Sequence, residues 1–263
     1  MHVTPIILTE LFGTALLILL GNGVVANTLL KGTKGQNAGW ITITFGWGFA
    51  VLIAALISSA LGGVAHLNPA VTIMSAIANP GWGFEGISQT FIPPYALFII
   101  VLIVQFIGAA LGSALVDLLY WKHVKETSLN EPEEFKSKFL AMHATGPSNR
   151  NIIFNFLMEI VGTLVLLIAI VAVGRFVTIP FVVPIVVGLV VAVIGMSLGG
   201  TTGYAINPAR DLSPRIVHQI MRVSNKGSTD WQYSWIPVVG PLLASVLVGI
   251  FVRFALPAAS QYF

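Results

Sequence analysis

Hydrophobic residues run in long blocks along this chain, and polar residues are confined mainly to the gaps between them. The blocks fall at about residues 6–27, 40–61, 95–120, 152–173, 180–199 and 234–256. Each approaches the ~20 residues that an α-helix needs to cross a bilayer core. Lipid offers no partner to an open backbone N–H or C=O, so all six are expected to be helices. Two weaker apolar stretches, 67–79 and 208–221, follow the second and fifth blocks. Each is too short to cross and fits a re-entrant half-helix buried in protein. The pattern predicts an all-α polytopic membrane protein with six spanning helices and two half-helices. The one long polar gap, 122–150, divides the chain into halves at about 1–121 and 151–263.

Composition agrees with that reading. Charged residues make up 9% of the chain, against ~25% in soluble domains, too few to coat a surface in water. The net charge of +3 comes from scattered basic residues with no run, which gives no footprint for nucleic acid. The absence of cysteine excludes thiolate metal sites and cysteine nucleophiles. The first block lacks a basic segment before it and a clear cleavage site, so it reads as a retained span. No metal cluster, nucleotide loop or Ser-His-Asp set stands out, and no enzyme chemistry or cofactor is expected.

The halves repeat each other. Glu10, Gly13 and Thr14 open the first span as Glu159, Gly162 and Thr163 open the fourth. His66 and Leu67 precede Asn68-Pro69-Ala70, as Ala205 and Ile206 precede Asn207-Pro208-Ala209. Three spans per half is an odd number, so the halves must insert with opposite orientations, as an inverted repeat.

Each Asn-Pro-Ala reads as a helix start. Asn caps a free backbone N–H with its side-chain oxygen, and Pro at the first helical position loses nothing there. In an inverted repeat two such starts can meet head to head at mid-membrane. Their partial positive charges then oppose a cation or hydrated proton, and an Asn amide N–H remains to donate to a passing oxygen. Ionisable residues inside spans are costly and suggest function. Glu10 and Glu159 could each pin a re-entrant loop by accepting several N–H bonds; the alternative is a helix entrance near the headgroups. Arg210 offers donors to solute hydroxyls and repels cations; the alternative is a snorkelling surface arginine. Asp211 could brace its loop or serve simply as a helix-start acid. Gly108 and Gly112 form a small-residue packing face.

The paired Asn-Pro-Ala and paired Glu-x-x-Gly-Thr closely resemble the major intrinsic protein family, the aquaporins and glycerol facilitators, over essentially the whole chain. The resemblance implies a single channel domain with one pore per subunit and a homotetramer in the plasma membrane with cytoplasmic termini. It also implies a pore lined by the carbonyls of Val64, Ala65, His66, Leu67, Gly203, Tyr204, Ala205 and Ile206, opposite an apolar wall. Asp211, Arg215, Pro237 and Val238 look like the glycerol-facilitator pattern, which implies passage of glycerol and small polyols with water; the compactness of the chain suggests a bacterial source. At the narrowest section the family pattern falls on Gly195, Tyr204 and Arg210, with Gly195 leaving width beside the arginine. The fourth place falls on Gly48 without gaps, or on Trp47 if Val64 is an extra residue, and Trp47 is favoured. Two departures bear on the solute: Tyr204 replaces the commoner Phe, and Gly146 stands where glycerol channels usually carry an aromatic. Other members of the class would pass only water, or dihydroxyacetone, urea, lactic acid or hydrogen peroxide. A coupled transporter would want carboxylates in a midplane cavity, and a sealed structural relative would want bulky plugs. Cytoplasmic termini would place Lys31, Lys34, Lys122, Lys125, Lys136, Lys138 and Arg150 outside, against the usual positive-inside bias.

Overall fold

The computed structural model describes residues 2–84, 92–177, 179 and 181–256. Secondary structure among them is helical throughout: α1 (Val3–Leu29), α2 (Gly39–Ala60), α3 (Pro69–Ala78), α4 (Pro94–Leu119), α5 (Trp121–Asn130), α6 (Pro132–Ala141), α7 (Ile152–Phe176), α8 (Val182–Ser197), α9 (Pro208–Ile220) and α10 (Ile236–Ala255), with a 3-10 turn at Pro80–Gly83. Five of these, α1, α2, α4, α7 and α10, are long and apolar enough to cross a membrane. The sixth expected span is α8, shorter at 16 residues, or about 24 Å at 1.5 Å per residue. Residue 180, where that span was expected to begin, lies outside the described residues.

Burial is inverted relative to a water-soluble bundle. Ile99, Ile103, Ile107, Leu111 and Leu115 form an exposed stripe at every fourth position of α4, one face of a helix. The buried set instead includes Glu10, Thr14, Asn22, Gln105, Ser113, Glu159 and Thr163. An apolar outer face needs an apolar solvent, and polar groups inside lipid turn inward to find partners.

Packing is the same in both halves. In the first, α1 packs on α4 and on α2; in the second, α7 packs on α10 and on α8. Each half-helix packs against the last span of the other half, α3 on α10 and α9 on α4. The pair α2–α8 joins the halves, and its crossing is built on two glycines. A Cβ on Gly48 would stand 2.6 Å from the Gly188 carbonyl oxygen, and a Cβ on Gly188 would stand 2.6 Å from that of Gly48. The reciprocity makes these residues equivalent. They are one residue further apart in sequence than Asn68 and Asn207 are, so the first half carries one extra residue between its second span and its Asn-Pro-Ala. Gly108 and Gly112 bring α4 onto α1, where a Cβ at either would meet the Leu11 or Ala15 carbonyl oxygen at 2.2 Å, the close approach small residues permit.

The polar gap is more ordered than its composition suggests. Its two short helices, α5 and α6, bury Val124, Phe135 and Phe139, and Met142 just after α6 is buried with them. Lys226, in the loop after α9, donates to the carbonyls of His218, Gln219 and Met221, satisfying acceptors that a helix C-terminus leaves open.

Candidate functional site

Asn68 and Asn207 are the N-caps of α3 and α9, each followed by Pro at the first helical position. Asn68 Oδ1 accepts from Ala70 N–H at 2.9 Å; Asn207 Oδ1 accepts from Ala209 and Arg210 N–H at 3.0 and 3.2 Å. The amides then cross between halves. Asn68 Nδ2 donates to the Ile206 carbonyl and Asn207 Nδ2 to the Leu67 carbonyl, both at 2.9 Å. Each bond commits one of the two hydrogens on its amide.

The backbone leading into each half-helix takes an unusual path. Ala65 and Leu67 have φ of 53° and 50°, and Tyr204 and Ile206 have 39° and 45°. This left-handed region costs roughly 1–2 kcal/mol for a residue with a Cβ. The buried glutamates hold it in place. Glu10 accepts from His66 N–H at 2.7 Å, Leu67 N–H at 2.8 Å and Gln105 Nε2 at 2.8 Å. Glu159 accepts from Thr202 Oγ1 at 2.7 Å, Ala205 N–H at 3.1 Å and Ile206 N–H at 3.0 Å. Across a trans peptide the N–H and the preceding C=O point opposite ways. The carbonyls of Ala65 and His66 are therefore turned away from Glu10, and those of Tyr204 and Ala205 away from Glu159.

A cavity of about 180 Å³ runs along this path. Val51, Val187, Val191 and Leu166 contribute an apolar wall, and both asparagines and Arg210 contribute polar groups. Arg210 is 6% exposed, with its guanidinium carbon 4.0 Å from the centre of the Trp47 ring, a cation–π contact strengthened by the low-dielectric surroundings. The Tyr204 ring lies edge-on to Trp40 at 5.8 Å between centres.

Residues 2–252 match the family described as major intrinsic protein. The chain belongs to that family. It is 45% identical over 238 residues to a glycerol uptake facilitator protein of Streptococcus pneumoniae, covering 90% of this chain and 94% of that one. It is 43% identical over 242 residues to glycerol uptake facilitator protein 3 of Lactiplantibacillus plantarum, with 92% of each chain covered. Among solved structures it resembles the aquaglyceroporin from Plasmodium falciparum, with a TM-score of 0.78, 27% identity and coverage of 98% and 99%.

In this major intrinsic protein, Trp47 lines the cavity beside Arg210, whereas Gly48 faces away from it into the α2–α8 crossing. The space at Gly195 is not free width beside the arginine. A Cβ there would stand 2.6 Å from the Tyr204 ring and 2.8 Å from Thr44 Cγ2, and one at Gly199 would stand 2.2 Å from the same ring. Both glycines make a slot for Tyr204. Of the eight expected carbonyl residues, Val64, Ala65, His66, Leu67, Tyr204, Ala205 and Ile206 line the cavity. The Leu67 and Ile206 oxygens are taken by the opposing asparagines, and Gly203 lies against Thr145 instead. Gly146 is exposed with open space around it.

Asp211, in the first turn of α9, reaches across to the end of the connector. It accepts from Thr145 N–H and Oγ1 at 2.7 and 2.6 Å, and pairs with Arg215 at 2.8 Å, both partners fully buried. Arg215 also donates to the carbonyls of Thr145 and Thr229. Sequence reading missed Gly188, Gly199, Thr145 and Thr202. Gly188 was within reach of the repeat alignment; Thr145 and Thr202 are ordinary residues whose partners lie far away in sequence, and the use of Gly199 depends on which way the Tyr204 ring lies.

Proposed function

We propose that this chain is a passive channel through which glycerol and related small neutral solutes diffuse, with water as co-permeant and ions and protons excluded. The observation that carries the reading is a cavity lined both by polar groups, the loop residues that turn their carbonyls away from Glu10 and Glu159 together with Arg210, and by apolar side chains. A polyol has the matching faces. Its hydroxyls donate to the carbonyls of Ala65, His66, Tyr204 and Ala205 and accept from Arg210 and the second N–H of Asn68 and Asn207, while its carbons slide along Val51, Val187 and Val191. Trp47, Tyr204 and Arg210 form the selectivity filter, with Gly195 shaping it from behind the tyrosine. Glu10, Glu159 and Asp211 brace the loops that carry it. The names of the relatives, glycerol uptake facilitators at 43–45% identity, agree with this solute class.

Charge exclusion follows from the same parts. Two helix N-termini and a guanidinium present positive potential to anything in the cavity. Glu10 and Glu159 spend their oxygens on loop N–H groups, and neither lines the cavity. No acidic side chain is therefore among its described lining residues, where a coupled transporter would hold its ion. The channel works without cofactor or energy input, as a homotetramer in the plasma membrane with its termini in the cytoplasm.

Stopped-flow light scattering on proteoliposomes tests this. An inward glycerol gradient should produce fast reswelling with the parent protein, and Arg210→Leu should change the ratio of glycerol to water permeability. Parent vesicles that reswell no faster than protein-free ones would refute the proposal.

A further inference from the structure

Eight buried side-chain atoms among the described residues have no hydrogen-bond partner, and each such atom needs an explanation. Two of them, Asp117 Oδ1 and His218 Nε2, fall in one cluster away from the cavity lining. Asp117 lies in the last turn of α4, His143 just after α6, and His218 in the last turn of α9. All three are 2% exposed or less. The ring centres of His143 and His218 are 5.4 Å apart, and Phe139 of α6 packs on both, at 4.7 and 5.1 Å.

The hydrogen bonds of His143 fix a proton count. Its Nδ1 lies 2.7 Å from the Phe139 carbonyl oxygen. A carbonyl can only accept, so Nδ1 carries a hydrogen. Its Nε2 lies 3.1 Å from Asp117 Oδ2. Two lone pairs cannot bond, so this contact needs a further proton, on the imidazole or on the carboxyl. In either form the pair holds one proton more than a neutral histidine beside a carboxylate. Around it, α9 contributes His218, whose Nδ1 meets Thr229 Oγ1 at 3.0 Å, and Arg215, bound to Asp211. The loop after α9 contributes Lys226, bound to carbonyls at the end of that helix. From α6 the facing group is the apolar ring of Phe139. None of these takes the place of the proton between Nε2 and Oδ2.

The position of the pair gives it leverage. Two residues after His143, Thr145 donates to Asp211 through its N–H and Oγ1, accepts from Arg215 Nη2 at 2.7 Å and packs against Gly203. Asp211 follows Arg210 in sequence, and Gly203 precedes Tyr204. The end of the connector thus ties α4 to the segment that carries Tyr204 and Arg210 into the cavity. We infer that the Asp117–His143 pair is a proton-dependent latch that holds the connector onto this segment and makes permeation depend on pH. The inference rests on the channel reading and adds control to it. Loss of the proton sets two lone pairs against each other in a buried site and leaves both carboxylate oxygens unpaired, which favours release of residues 143–145 to water. The latched state binds a proton that the released state gives up, so latching weakens as pH rises. That proton goes to solvent at the connector face and is not carried through the pore. At a fixed pH on that face, a pH gradient therefore adds nothing to solute flux.

Asp117→Asn supplies an amide of the same size whose N–H donates to a neutral imidazole, so the latch stays shut without a titrating proton. His143→Gln, whose amide donates to the carboxylate, is the independent second variant. Glycerol permeability is measured by stopped-flow on proteoliposomes with equal pH on both faces, from about pH 5 to about 9, a range that brackets histidine titration. Amide hydrogen exchange over 139–146, corrected for intrinsic rates, is followed on the same samples. As pH rises, parent permeability should fall about two-fold or more as the released population grows. Protection at Ala144 and Thr145 should fall roughly ten-fold, the loss of one hydrogen bond to a charged group. Both quantities should stay level in the variants. Parent permeability that ignores pH would overturn the inference, and so would a step that persists in both variants. A parent that admits no glycerol at any pH would instead fail the channel reading. The exchange comparison does not depend on flux, and matching profiles in parent and variants would overturn the latch by themselves.

Discussion

At Gly195 an added methyl group would stand 2.6 Å from the Tyr204 ring, well inside contact distance. Gly195→Ala should therefore cost about 1–3 kcal/mol through overpacking and push the ring toward the solute path. Glycerol permeability should drop, and the shorter side chain of Tyr204→Leu should recover it in the double variant. Stopped-flow on both variants checks this, and equal flux in Gly195→Ala and parent would show that the ring does not border the path. The Asp211–Arg215 pair behaves differently because both partners are fully buried. Removing only the acid leaves a buried guanidinium uncompensated, so Asp211→Leu should destabilise by about 3–5 kcal/mol in thermal unfolding. Replacing both residues by apolar ones of similar size should cost much less. At this scale the sequence displayed the important groups but not their tasks. Arg210, Glu10 and Glu159 stood out because charge is scarce in apolar blocks. The use of Gly195 was hidden because it depends on which way the Tyr204 ring lies.

The elements were legible wherever an apolar block is long enough to span, which covers α1, α2, α4, α7 and α10. The half-helices α3 and α9 were legible from Asn-Pro-Ala, since capping chemistry is local. The connector was not. Its helices α5 and α6 bury only a few residues each, among them Val124, Phe135 and Phe139, within a sequence that is otherwise charged. Part of its attachment is electrostatic. Glu131 lies 2.6 Å from Lys138 and 3.9 Å from Lys31, and the hydrogen bond from Lys138 holds its carboxyl below the usual glutamate range. A depressed folded-state value contributes stability above the unfolded value of about 4.3 and loses it as pH falls through the folded one. The connector should therefore loosen on acidification below about pH 4, and Glu131→Gln should remove that dependence. Amide hydrogen exchange over 121–141 as a function of pH measures it; identical profiles in parent and variant would contradict the assignment.

For the whole molecule, the fold follows from a short set of constraints: two equivalent halves, a glycine crossing between α2 and α8, and two half-helices locked together by Asn68 and Asn207. Orientation is the property that sequence and family likeness pull apart, because the lysine-rich connector opposes the usual charge bias. The chain has no cysteine, so a single one can be placed without background. Glu133→Cys puts it on α6, where the native side chain is 83% exposed. With cytoplasmic termini, a membrane-impermeant maleimide should label it from outside intact cells. Labelling only after permeabilisation would reverse the orientation.

The most direct test of the central claim is glycerol and proton flux through the same proteoliposomes, read by light scattering and by a trapped pH-sensitive dye. The account predicts glycerol entry far faster than in protein-free vesicles, insensitive to sodium and to a pH gradient, with no added proton leak. Glycerol entry that requires an ion gradient, or vesicles that admit water but exclude glycerol, would contradict it.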